Sequence, residues 1–314
     1  MNENDNRFLY MRRCLQLASY GLGSVAPNPM VGAVVVYENR IIGEGFHEKY
    51  GGPHAEVQAI ASVRDEKLLK NSTLYVNLEP CAHFGKTPPC VDLIRKKQIP
   101  RVIIGQEDPF PEVSGKGIKI LREAGIDVIC GILEEECKNL NKRYLTYMIQ
   151  HRPYILLKWA QSADGFMDEL REENDGKLPV KFSNAFTRML VHKTRAEESA
   201  IMVGNRTLRL DKPALNVRYW KGNDPERISA DSNRSLHRQM QTLYDRQIQS
   251  LMVEGGAKLL QSFLNENLWD EIQVEVASVL LNTGIAAPIP MGILQDVQKC
   301  ENSTLFRYKN RSNS

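Results

Sequence analysis

Between residues 30 and 129, short apolar runs alternate with segments of helical period, and that alternation restricts the chain to a layered α/β fold. Residues 30–37 (MVGAVVVY) are valine-rich, and 41–43 begin a second extended piece after the turn Glu38-Asn39-Arg40. Further strands are expected at 73–78, 102–105 and 126–129, with helices at 8–20, 54–64, 91–98 and 117–124. One helix is expected over 138–149, ended by Pro153 in the junction His151-Arg152-Pro153. A second series of apolar strands follows at 154–159, 199–203, 250–253 and 271–281. Residues 168–177 (DELREENDGK) carry a loop signal, and 307–314 are polar enough to fray. The 314 residues therefore read as two domains, 1–150 and 151–314.

Composition narrows the function classes. The net charge of +3 is too small to imply a nucleic-acid or membrane partner. No apolar run approaches the ~18 residues of a membrane span, and the polar start MNENDN is no signal peptide. Six cysteines outside any small-fold disulfide pattern suit a reducing, cytoplasmic compartment.

Two features of the first half carry chemistry. His54-Ala55-Glu56 begins a helical segment, and Cys81 and Cys90 bracket PCAHFGKTPPC. A catalytic zinc site needs three protein ligands and one open position, and His54, Cys81 and Cys90 meet that count. Glu56 would then stand beside the metal as a general acid/base, as in hydrolytic deaminases. An H-x-E is common by chance, however, and the spacing alone leaves a structural zinc clip equally open. Cys14, Cys130, Cys137 and Cys300 lack ligand spacing and read as packing residues.

The segments PNPMVGAVVV, GEGFH, GGPHAEVQAI, NLEPCAHFGKTPPC and DPFPEVSGKGIKILREAGIDV resemble one bacterial family, the bifunctional riboflavin-biosynthesis pyrimidine deaminase/reductase. The eight residues between its cysteines separate it from deaminases of RNA or cytidine, which use a short C-x-x-C. The resemblance implies a cytidine-deaminase-like three-layer αβα domain followed by a dihydrofolate-reductase-like α/β domain. It implies one zinc ion on His54, Cys81 and Cys90, with Glu56 catalytic and Asn28, His47, His83 and Lys86 lining the substrate pocket.

In the second half, LKWAQSADG, HKTRAE, IMVGNRTLRLDKPALNVR and VEGGAKLLQSFL are similar to the family's reductase. By position, Gln161, Thr207, Asp211 and Gly256 would meet NADPH. Lys158, Arg195, Leu215, Arg218 and Glu254 would meet a ribose-phosphate substrate. Read without the resemblance, Gly255-Gly256 is a turn as readily as a phosphate cradle, and no G-x-G-x-x-G occurs. Gln161 and Lys181 depart from many relatives, and residues 229–249 look shortened by at least one strand, with a helix over HRQMQTLYDRQIQ.

The expected activity is zinc-dependent deamination of a phosphoribosylaminopyrimidine, then NADPH reduction of its ribosyl to a ribityl chain. The shortened segment keeps a rival open, a deaminase whose second half is only a dimerisation module. A zinc-stabilised nucleic-acid-binding protein is the rival from another class, and the near-neutral charge counts against it. A homo-oligomer, dimer or tetramer, is expected, and residues 272–281 suit either an interface or a central core.

Overall fold

The computed structural model describes residues 3–84, 88–110, 114–172 and 176–311. The chain divides into two compact units, Met1–Gln150 and His151–Ser314. Among the described residues no helix is long and apolar enough to cross a membrane.

The first unit runs α1 (Glu3–Ser19), β1 (Gly32–Tyr37), β2 (Arg40–Phe46), α2 (Ala55–Ala61), β3 (Thr73–Leu78), α3 (Cys90–Lys96), β4 (Arg101–Gln106), α4 (Lys116–Glu123), β5 (Asp127–Cys130), α5 (Glu134–Leu140) and α6 (Lys142–Gln150). Its sheet has the order β2-β1-β3-β4-β5. The first pairings are antiparallel, and β3-β4-β5 are parallel. Successive side chains on a strand point to opposite faces, so each strand feeds two layers. Val102 and Ile104 pack with Ala59 of α2, Ile94 of α3 and Leu121 of α4, whereas Ile103 packs with Met11 of α1 and Cys137 of α5. That is a three-layer αβα unit.

The expected helix over 138–149 is two helices, because Asn141 ends α5. Its side chain brackets Met30 from 111 residues away, accepting from the Met30 N–H at 2.8 Å and donating to its carbonyl at 3.0 Å. Asn77 of β3 adds a bond to the same carbonyl and accepts from Gly32 N–H. Both asparagines are buried. A buried backbone group left unpaired costs about 1–3 kcal/mol, so these two side chains hold the otherwise irregular segment before β1.

The second unit runs β6 (Tyr154–Gln161), β7 (Phe166–Asp168), α7 (Ala185–Glu197), β8 (Ala200–Val203), α8 (Asn205–Asp211), β9 (Glu226–Ser229), α9 (Leu236–Asp245), β10 (Ser250–Glu254), α10 (Ala257–Asn265), β11 (Glu271–Ala277), β12 (Ile285–Ala286), β13 (Ile293–Cys300) and β14 (Ser303–Lys309). The main sheet has the order β13-β14-β11-β6-β10-β8-β9, parallel from β11 to β9 and antiparallel across β13-β14-β11. Helices α9 and α10 cover one face through Met240, Leu243, Leu260 and Phe263, and Leu208 of α8 packs on the other. Thus both units are α/β, as the alternation predicts.

Two expectations need correction here. Residues 307–309 do not fray but belong to β14, where Phe306 and Tyr308 pair with Val274 and Ile272 and pack on the core. The alternation of Phe306-Arg307-Tyr308-Lys309 is a strand signal that the polar composition around it masks. The strand expected over 271–281 ends at Ala277, and β11 lies between β14 and β6, so its apolar residues are core.

Candidate functional site

In the first unit three elements converge on one point. His54 is the N-cap of α2, Cys81 follows β3 by three residues, and Cys90 is the first residue of α3. Their ligand atoms all lie within 4.8 Å of one another. His54 Nδ1 stands 3.5 Å from Cys81 Sγ and 3.3 Å from Cys90 Sγ. A tetrahedral zinc with its usual bond lengths separates such nitrogen and sulfur donors by about 3.5 Å. The donor set, one imidazole and two thiols, is likewise what zinc takes. The residues fit the ion.

The electrostatics agree. Hydrogen bonding from Cys90, and then from His54, pushes the Cys81 thiol well down despite its burial. Cys90 is driven up, because one proton serves two sulfurs that share a bond. A dication would displace that proton and hold both thiolates. Glu56, in the first turn of α2, is 3% exposed, and burial pushes its carboxyl up to about 7, with the Cys81 charge adding to the shift. A carboxyl held near neutrality beside the metal ligands can both take and give a proton.

Asn28 and His47 complete the wall. His47 Nδ1 lies 2.9 Å from the Pro53 carbonyl, so it carries the proton there, and Nε2 is left to accept from Asn28 Nδ2 at 3.0 Å. Burial lowers the His47 pKa and keeps this neutral form. Its ring meets that of His54 edge-on, with centroids 5.7 Å apart. His83 is exposed on the loop after Cys81, and Lys86 lies outside the described residues.

In the second unit a cavity of about 1050 Å³ opens at the carboxyl ends of the parallel strands. Thr207, Asp211 and Gly256 line it, together with Ala160, Arg171 and Arg234. Gly255 and Gly256 hold φ of 98° and 74°, and a Cβ on Gly256 would meet Thr207 Oγ1 at 3.3 Å. Gly256 caps α10 without a side-chain bond, leaving backbone N–H groups for an anion. This glycine cradle and the volume fit a dinucleotide such as NADPH. Beside it, Arg195 binds both oxygens of Glu254, at 3.2 and 2.5 Å, and donates to the Asn216 carbonyl. Lys158 is the register partner of Glu254.

Residues 4–106 match the family described as the cytidine and deoxycytidylate deaminase zinc-binding region. Residues 153–241 and 235–310 match the RibD C-terminal domain, two pieces that meet inside α9, where the sequence reads as shortened. The riboflavin biosynthesis protein RibD of Aquifex aeolicus is 38% identical over 88% of this chain and 88% of its own. The chain belongs to the RibD family. RibD of Escherichia coli is 37% identical over 96% of this chain and 94% of its own. The Thermotoga maritima diaminohydroxyphosphoribosylaminopyrimidine deaminase/5-amino-6-(5-phosphoribosylamino)uracil reductase superposes with a TM-score of 0.89 at 34% identity, covering 98% of this chain and 100% of that one. As a member of this family the chain is a bifunctional deaminase and reductase of riboflavin biosynthesis, with zinc and NADPH as cofactors.

The residues named from the sequence do not all converge. Gln161 is not among the residues lining the cavity, and its side-chain oxygen accepts from Trp159 Nε1 at 2.8 Å. Leu215 is buried against Leu156, Leu208 and Met252 and is not among the residues lining the cavity. Arg218 is exposed, and its N–H donates to His192 Nδ1 at 3.0 Å. His192 is a residue sequence reasoning missed, as is Arg171, which sits in the polar 168–177 segment yet is buried between Asp168 and Asp211. Neither carries a local signal, because each is defined by partners brought from other elements.

Proposed function

We propose that residues 1–150 hydrolyse the exocyclic amine of 2,5-diamino-6-(5-phosphoribosylamino)pyrimidin-4(3H)-one. Residues 151–314 then reduce the ribosyl of the product to a ribityl chain. The observation that carries this reading is the meeting of His54, Cys81 and Cys90 beside the buried Glu56.

These three side chains would hold zinc, which would make a water acidic enough to act as nucleophile near neutral pH. Glu56 takes the proton of the attacking water, passes it to the ring nitrogen, and delivers a proton to the departing ammonia. Asn28, fixed by neutral His47, would meet the ring edge, and His83 and Lys86 are the residues carried over for the ribose phosphate. In the second unit Thr207, Asp211 and Gly256 would hold NADPH, which would supply the hydride for the ribose C1′. Gln161 would join it only by releasing Trp159. Lys158, Arg195, Leu215, Arg218 and Glu254 would meet the phosphorylated sugar, a task suited to paired guanidinium groups.

The test is a coupled assay with NADPH supplied or withheld. Ammonia should appear in both arms, and NADPH should be consumed only after it. Ammonia without any NADPH oxidation would leave the second unit as a dimerisation module. We further infer a cytoplasmic homo-oligomer, a dimer or tetramer. Leu294 and Val297, exposed on the edge strand β13, support the association, which sedimentation measures directly. A thiolate zinc site supports the reducing compartment.

A further inference from the structure

Arg171 stands in the charged segment after β7, where solvated side chains are the rule, yet it is 6% exposed. Its Nε donates to Asp168 Oδ2 at 2.7 Å. Its Nη2 donates to that same oxygen and, at 2.6 Å, to Asp211 Oδ1. Asp168 Oδ1 in turn accepts from Val180 N–H at 3.0 Å, and the Arg171 carbonyl accepts from Arg206 Nη2 at 2.8 Å. One guanidinium thus joins the end of β7 to the last residue of α8.

This junction is part of the cavity wall. Asp168, Arg171, Arg206 and Asp211 line the cavity, as do Thr207 and Gly256. The Asp211 side chain is 26% exposed, against 5% for that of Arg171. The carboxylate is therefore the reachable member of the pair, and the guanidinium the buried one. A free carboxylate in this wall repels the phosphates of a dinucleotide. Beside a buried cation it is neutralised and held in one orientation, and it can still accept from a sugar hydroxyl. Only the planar fork of an arginine reaches two carboxylates at once in this way.

We propose that Arg171 is a positioning residue of the reductase cofactor site, cancelling the charge of Asp211 and fixing its carboxylate so that NADPH binds. The inference rests on the reading of this cavity as the NADPH site. That reading fails if the unaltered protein binds no NADPH. The inference fails by itself if the unaltered protein binds NADPH and the variants below bind it equally well.

Arg171→Met in the full-length, zinc-loaded chain removes the charge and keeps an apolar stem. NADPH should bind about tenfold more weakly by fluorescence titration, because two unanswered carboxylates then face its phosphates. The deficit relative to the unaltered protein should shrink at high salt, which screens repulsion but does not mend a distorted wall. Ammonia release by the first unit should be unchanged. Asp211→Asn removes the charge that Arg171 answers, so adding Arg171→Met to it should weaken binding by less than about threefold more. An unmoved affinity, a deficit indifferent to salt, or full additivity with Asp211→Asn would each overturn the proposal. Arg171→Lys retains the charge without the fork, and about a threefold loss of affinity is expected. If the Arg171→Met protein does not fold, this variant decides, and an unchanged affinity overturns the proposal.

Discussion

In residues 1–150 the three candidate ligands sit at two helix starts and just past a strand, their donor atoms within 4.8 Å of one another. In residues 151–314 the candidate residues are spread around a cavity of about 1050 Å³ and held by ion pairs and loops. The first arrangement concentrates function in a few atoms, because a metal tolerates little error in donor position and a buried carboxyl has no substitute. The second divides binding among many polar contacts, each worth little alone. Loss in the first unit should therefore be nearly all-or-none, and loss in the second graded.

The largest expected effect is zinc removal. Chelation should take ammonia release to background while NADPH oxidation with deaminated substrate continues. A matching fall in both would break the contrast between the units. Next comes Glu56→Gln, which should lower kcat for deamination by about 10²- to 10⁴-fold at unchanged zinc content. Deamination at the unaltered rate would remove Glu56 from the chemistry. In the second unit Gly256→Val fills the cradle beside Thr207 at a left-handed backbone position. NADPH should bind about tenfold more weakly by fluorescence titration, with deamination untouched.

The smallest effect is a pH dependence. Burial, then the charges of Arg195 and Arg218, holds the His192 pKa below its ordinary value of about 6.5. The folded unit therefore keeps His192 neutral where the unfolded chain already takes up a proton. The stability contribution is complete above pH ~6.5 and declines as pH falls toward the lower folded value. Below that value protonated Nδ1 no longer accepts the Arg218 N–H, and the reductase KM should rise a few-fold. His192→Gln should abolish that rise. A KM profile identical in the variant would detach His192 from the substrate site.

Legibility followed the same division. His54, Cys81 and Cys90 stand in short segments that offer three zinc ligands, and the fold brings those three together. Asn28 and His47 were readable only by resemblance, and their hydrogen bond explains why an asparagine in a P-N-P turn is more than a turn former. In the second unit, Thr207, Asp211 and Gly256 reach the cavity, but Gln161 turns to Trp159 and Leu215 faces the core. Strand ends and loop tips leave orientation to their neighbours, and spacing along the chain carries no information about that.

By itself the sequence determined two α/β units, three candidate zinc ligands, and a family. Periodicity and ligand spacing are local quantities, and those features depend on little else. Tertiary structure decided the helix break at Asn141, the placement of β14 beside β11, the burial of Arg171 between two aspartates, and the grip of Glu79 on four backbone donors. Each depends on partners tens of residues away. A buried polar group takes whatever donor or acceptor the fold delivers, and only the folded chain says which one that is.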